Sequence, residues 1–180
     1  MATSIAASKS LFSVLDADRH DSLGMVLSAT LPLAVYVIVN GMAQLYGVQS
    51  LFFAPFGLPG WVGAALHLAC LPLFGIARWM VAGRSPEGDT ASKWVIALMA
   101  GTIVFPFVVA PLDSLMLSIL AFGLLVVGLA AAIRVAAVDR KAALVMAPGM
   151  AWMGFSAFVG LSFAAAWSPP FAVTNGHGAA

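Results

Sequence analysis

The chain has 180 residues, of which 62% are hydrophobic and only 8% are charged. Because soluble domains carry about 25% charged residues, this composition excludes an ordinary water-soluble fold. The net charge of +1 argues against nucleic-acid binding, which needs a concentrated basic footprint. The single cysteine, Cys70, excludes an intrachain disulfide and a CxxC motif.

Five apolar runs follow a polar start, and the first of them is too long for the core of a secretory signal peptide. We predict a polar extension over 1–22, a transmembrane domain over 23–167 and a short tail over 168–180. About 20 helical residues cross the hydrocarbon core of a bilayer. The predicted fold is therefore an all-α membrane protein, a bundle of five transmembrane helices over 23–46, 60–82, 93–110, 114–136 and 142–167.

Four of these spans contain a proline: Pro32, Pro72, Pro106 and Pro148. Proline breaks the hydrogen-bond ladder of a helix, but neighbouring helices in a membrane can satisfy the carbonyl that it frees. The sequence therefore predicts kinked spans.

The distribution of charge predicts the orientation. With five crossings, all eight basic residues lie on the side of the N-terminus. The positive-inside rule places that side in the cytoplasm. We expect an integral protein of a bacterial inner membrane, with its N-terminus in the cytoplasm and its C-terminus outside.

His67 is the one ionisable side chain well inside a span, since Arg78 and Arg134 lie near span ends. It could face a ligand, even as an axial ligand to a tetrapyrrole iron. It could instead be a neutral histidine that is bonded to a neighbouring carbonyl or to water. The second interpretation is favoured, because no other histidine or carboxylate supports a metal site.

Aromatic and amide side chains are the other candidates for a binding site. Trp152 could form the wall of an apolar pocket with Phe155, Phe105 and Met99 if the third and fifth helices pack together, or it could simply fill the bundle. Asn40 could hold a ligand, although hydrogen bonding between helices is the more common role of such residues. No phosphate loop, HExxH, GxSxG or pair of intramembrane acids is present, so we predict no enzymatic activity.

Two segments contain residue spacings that match those of a known protein family. Residues 59–81 begin with Pro-x-Trp-Val and continue to Gly-x-Ala-x-Trp-x-Val, and residues 138–160 contain Asp-Arg followed by Pro-x-x-x-Trp. This pattern resembles the second and fifth helices of the TspO/MBR family, the tryptophan-rich sensory or translocator proteins. The resemblance implies five helices, a possible homodimer and a pocket for a porphyrin or sterol under the first outer loop.

The chain departs from the family in the lining of that pocket. His67 stands where the family has a Trp, Leu71 where it has a Tyr, and Gly101 and Val104 where it has an Asn and a Trp. The predicted ligand-binding residues are therefore His67, Trp152, Phe155, Phe105, Gly101 and Asn40.

We expect a TspO-like protein that binds a tetrapyrrole, a sterol-like molecule or a carotenoid between its helices, with a regulatory or ligand-handling role. A porphyrin or heme is a possible cofactor, and no metal is predicted. The alternative is an accessory subunit that packs against a larger membrane complex.

Overall fold

A computed structural model describes residues 22–55 and 57–167. Each predicted span is a helix, and no strand occurs in the described residues. The bounds are α1 Ser22–Leu45, α2 Gly60–Val81, α3 Pro86–Val108, α4 Ser114–Val138 and α5 Arg140–Trp167. All five are long and apolar enough to cross a membrane, so the predicted five-helix membrane bundle is confirmed. The predicted polar extension, except for its last residue, and the predicted tail lie outside the described residues.

Helix α3 begins earlier than the predicted start at residue 93. Its first residue is Pro86, and the hydroxyl of Ser85 accepts a hydrogen bond from the N–H of Gly88 at 3.1 Å. Glu87 and Asp89 lie in the first turn, where the helix dipole favours negative charge. The predicted bound marked where the apolar run begins, whereas the helix itself starts at this polar cap.

The helices form a ring in the order α1, α2, α5, α4, α3. The contact between α1 and α3, which closes the ring, is the least extensive contact between ring neighbours. α2 also lies against α3 and, weakly, α4. Direct packing of α3 on α5, which was the condition for the apolar pocket considered around Trp152, is absent from the described residues, because α2 and α4 lie between them. α1 is thus held mainly by α2.

The closest approach of α1 to α2 occurs at Gly75. Pro32 has no N–H, so the carbonyl of Ser28, four residues earlier, loses the donor that it would have in a regular helix. Gly75 lies directly against that carbonyl, and a Cβ at this position would overlap its oxygen and carbon atoms. The two backbones can approach this closely only because position 75 has no side chain.

All basic residues that the structure describes lie at one end of the bundle, which we call the basic face: Arg78, Arg84, Lys93, Arg134, Arg140 and Lys141. The Arg84 guanidinium donates to Oδ2 of Asp139, which lies between α4 and α5. Oδ1 of Asp139 accepts from the N–H groups of Lys141, at 2.8 Å, and Ala142, at 3.3 Å. Desolvation alone would raise the pKa of Asp139, but these hydrogen bonds and the Arg84 charge outweigh it and lower the pKa. The ionised carboxylate of Asp139 therefore caps the start of α5 and links the α2–α3 loop to the junction of α4 and α5.

Replacing Gly75 with alanine should destabilise the bundle by about 1–3 kcal/mol, because the new Cβ meets backbone that cannot rotate away. The measurement is unfolding of the purified protein in mixed micelles with increasing SDS. Gly123→Ala is the matched control, since a Cβ on that α4 glycine would meet nothing within 4 Å. Equal stability of the two variants would contradict the close α1–α2 crossing.

Candidate functional site

Four of the six predicted ligand-binding residues meet near the loop that joins α1 to α2. His67, Phe105 and Trp152 line a small cavity, which we call the aromatic chamber, together with Phe52 and Phe53 of the loop. The ring of Phe155 lies 6.0 Å from that of Trp152, between centroids. The structure thus groups residues from α2, α3 and α5 around one point.

The chamber is small, because aromatic rings of the loop pack against its other walls. The ring centroid of Phe52 lies 5.5 Å from that of His67, and the ring of Phe53 lies 6.1 Å from Trp152 and 6.2 Å from Phe155. The remaining volume is about 40 Å³. That volume suits a few water molecules, whereas small-molecule sites measure about 300–1,000 Å³.

Two backbone contacts hold the loop in this position. The N–H of Leu51 donates to the carbonyl of Pro106 at 2.8 Å. The carbonyl of Phe53 lies against Gly63, where a Cβ would overlap it. The loop is therefore packed into the end of the bundle opposite the basic face.

His67 has a structural partner. Its Nε2 lies 2.8 Å from the carbonyl oxygen of Thr102, and because a carbonyl can only accept, Nε2 carries the proton. Thr102 lies four residues before Pro106, which has no N–H to donate, so the imidazole supplies the hydrogen bond that α3 lacks. This is the histidine–carbonyl bond considered from the sequence. While Nε2 donates in this way, it is not available to an iron atom.

The other two predicted residues lie elsewhere. Gly101 faces α4, where a Cβ would meet the Leu124 side chain at 2.6 Å. Asn40 is half-buried on α1 and does not line the chamber. In the described residues, no group of three or more His, Cys, Asp or Glu side chains could hold a metal ion.

A larger apolar groove, which sequence reasoning did not identify, runs between α1 and α3. Its volume is about 370 Å³. The lining residues are Ser28, Leu31, Pro32, Val35, Val39, Arg78, Ile96, Met99, Ala100, Ile103 and Val104.

The groove has a buried floor and a rim that faces the bilayer. Pro32, Met99 and Ile103 are buried. Leu31 and Val104 are 49% and 46% exposed and form part of the rim. Arg78 is the one charged residue in the lining, and it lies three residues before the end of α2, at the basic face. The groove is thus an apolar trough with a cation at one end.

No family model matches the chain, and neither a curated protein nor a solved structure matches it significantly. The resemblance to the TspO/MBR family therefore remains a prediction from the two sequence patterns.

His67→Leu should destabilise the protein by about 1–3 kcal/mol, because it leaves the Thr102 carbonyl in the bundle without a donor. Pro106→Ala supplies a backbone N–H at position 106 that can reach this carbonyl. The cost of His67→Leu should therefore fall by at least half in the Pro106→Ala background. SDS unfolding of the wild type, both single variants and the double variant measures this coupling. Additive effects would show that His67 does not compensate for the proline.

Proposed function

We propose that this protein binds a hydrophobic small molecule in the groove between α1 and α3 and serves as a receptor or ligand-handling protein. The observation that carries the proposal is the groove itself, since its volume of about 370 Å³ falls in the range of small-molecule sites. Its apolar walls would supply affinity, and a single polar end would orient the ligand.

The groove is a better candidate than the aromatic chamber that the sequence indicated. Phe52 and Phe53 form part of the wall of the chamber, whose volume is only about 40 Å³, so a larger ligand there would have to displace the loop. The rim of the groove faces lipid, and a hydrophobic molecule could enter it from the bilayer. The TspO-like sequence patterns support a ligand of the hydrophobic class, such as a tetrapyrrole, a sterol-like molecule or a carotenoid.

Binding fits the groove better than catalysis does. Its only polar side chains are the Ser28 hydroxyl and the Arg78 guanidinium. A serine nucleophile needs a neighbouring general base, and no lining residue is one. The alternative role as an accessory subunit has no comparable support, because exposed α4 residues such as Val126 and Ile133 suit lipid as well as a protein partner.

We also propose that the basic face lies in the cytoplasm of a bacterium, with the C-terminus outside, since cytoplasmic loops are enriched in Lys and Arg. An alkaline phosphatase domain, which is active only outside the cytoplasm, should be active when it is fused after residue 180. The same domain inserted next to Gly83, in the α2–α3 loop, should be inactive. The reverse pattern would contradict this orientation.

Filling the groove should prevent binding. Ala100 lines it and is exposed, so Ala100→Phe would place a ring in the space without disturbing buried packing. A neutral long-chain alkyl diazirine should label residues 28–39 and 96–104 of the wild type saturably, and the variant should lose this labelling roughly tenfold. Peptide mass spectrometry after irradiation measures it.

Ala97→Phe is the control, because Ala97 is exposed on the same helix but does not line the groove. Uniform labelling around the bundle, or undiminished labelling of Ala100→Phe, would contradict the proposed site.

A further inference from the structure

We propose that the occupant of the groove is an anionic phospholipid from the leaflet at the basic face, with one acyl chain between α1 and α3 and its phosphate on Arg78. This inference rests on the proposed function and names a phospholipid as the ligand, in place of the tetrapyrrole, sterol-like and carotenoid classes that the sequence patterns suggest. Polarity is distributed unevenly along the groove. Apart from the Ser28 hydroxyl, every side chain in the lining other than Arg78 is apolar. The matching ligand has a long apolar part and one acidic end.

The groove is about as long as one leaflet is thick, and its lining on α1 begins six residues inside the helix end at the basic face. On α1 its lining runs from Ser28 to Val39, which is a rise of about 16 Å at 1.5 Å per residue. Half of the roughly 30 Å hydrocarbon core is about 15 Å. The groove also runs along the helices, and therefore along the direction of lipid chains. A chain could enter it sideways between exposed rim residues such as Val35 and Ile96.

The cation lies at the correct depth for a headgroup. Arg78 is three residues from the end of α2, which is about 4.5 Å along the axis. Its neighbour Trp79 lies beside Gly24 of α1, 3.1 Å from the place of a Cβ there, and tryptophan is enriched at the membrane–water interface. A phosphate bound to Arg78 would thus lie at the interface while its chain follows the groove inward.

The chemistry of Arg78 suits a phosphate. A guanidinium has five N–H donors and binds phosphate oxygens in a bidentate manner, so it can bind a lipid and keep contacts within the protein. The surroundings add to this attraction. The described part of the basic face carries six basic residues against three acidic ones, Glu87, Asp89 and Asp139, and Asp139 already pairs with Arg84. Basic residues next to a membrane attract anionic lipids.

A second copy of the chain fits the groove less well. A two-fold dimer in one membrane would join identical faces side by side, and the excess of positive charge on each would repel the other. An anionic lipid would neutralise that charge. Charge complementarity therefore favours the lipid.

The test is native mass spectrometry of the whole protein released from nanodiscs that contain phosphatidylglycerol and phosphatidylcholine with identical chains. The wild type should retain phosphatidylglycerol preferentially. Arg78→Gln should reduce this preference roughly tenfold, as expected for the loss of a charge-assisted hydrogen bond. Arg134→Gln should not, because Arg134 is exposed on the same face, against Trp94, and is outside the groove. Ala100→Phe, which keeps Arg78, should lose the retained lipid as well.

The outcomes separate the two proposals. If Arg78→Gln or Ala100→Phe retains phosphatidylglycerol as the wild type does, the phospholipid assignment is wrong. The proposed function still stands in that case if the neutral diazirine labels the groove. If the diazirine does not label the wild-type groove, the proposed function fails. If groove residues crosslink to a second chain in place of lipid, the occupant is another copy and the lipid assignment is overturned.

Discussion

Backbone carbonyls that cannot bond within their own helix constrain this bundle more than any other feature. Lipid offers no hydrogen-bond donors, so a carbonyl freed by proline must find its partner inside the protein. For two of the four prolines inside the helices, the structure shows how this need is met. The carbonyl freed by Pro106 accepts from His67, and the carbonyl freed by Pro32 lies against Gly75, where a Cα–H can provide a weaker contact. These pairs connect α2 to α3 and α2 to α1. α2 also contacts α4 and α5, so it is the helix that touches all the others.

The same constraint closes the aromatic chamber. Helix α3 ends at Val108, so the carbonyl of Pro106 belongs to the last turn, where no intrahelical donor remains. The N–H of Leu51 fills that vacancy and thereby fixes the loop that carries Phe52 and Phe53. Once the loop is fixed, these rings pack against His67 and Trp152. A site rich in aromatic side chains is thus part of the packing that holds the bundle together.

Hydropathy was sufficient to predict the number of helices and most of their ends, because lipid imposes one length on every span. It could not predict the start of α3, where a Ser85 cap and polar residues extend the helix beyond the apolar run. It also could not identify the groove. Ile103, on the floor of the groove, and Val37, which is 66% exposed, are equally apolar in a sequence. Only the order of the helices distinguishes them. His67 and Trp152 could be singled out from the sequence, because a histidine and a tryptophan well inside a membrane span are unusual.

The groove follows from where close packing is possible. α1 makes its close backbone approach to α2, at Gly75, and Gly101 of α3 faces Leu124 of α4, so neither of these close contacts joins α1 to α3. Met99 and Ile103 are buried on the floor of the groove, and the small, exposed Ala100 leaves the space beside them unfilled. A gap of this kind in a soluble protein would hold water or collapse, but in a bilayer it is adjacent to acyl chains that can fill it without losing apolar contact. Lipid is for this reason part of the packing problem that the sequence solves, and under the proposed assignment the cation at the end of the gap selects an anionic lipid to complete it.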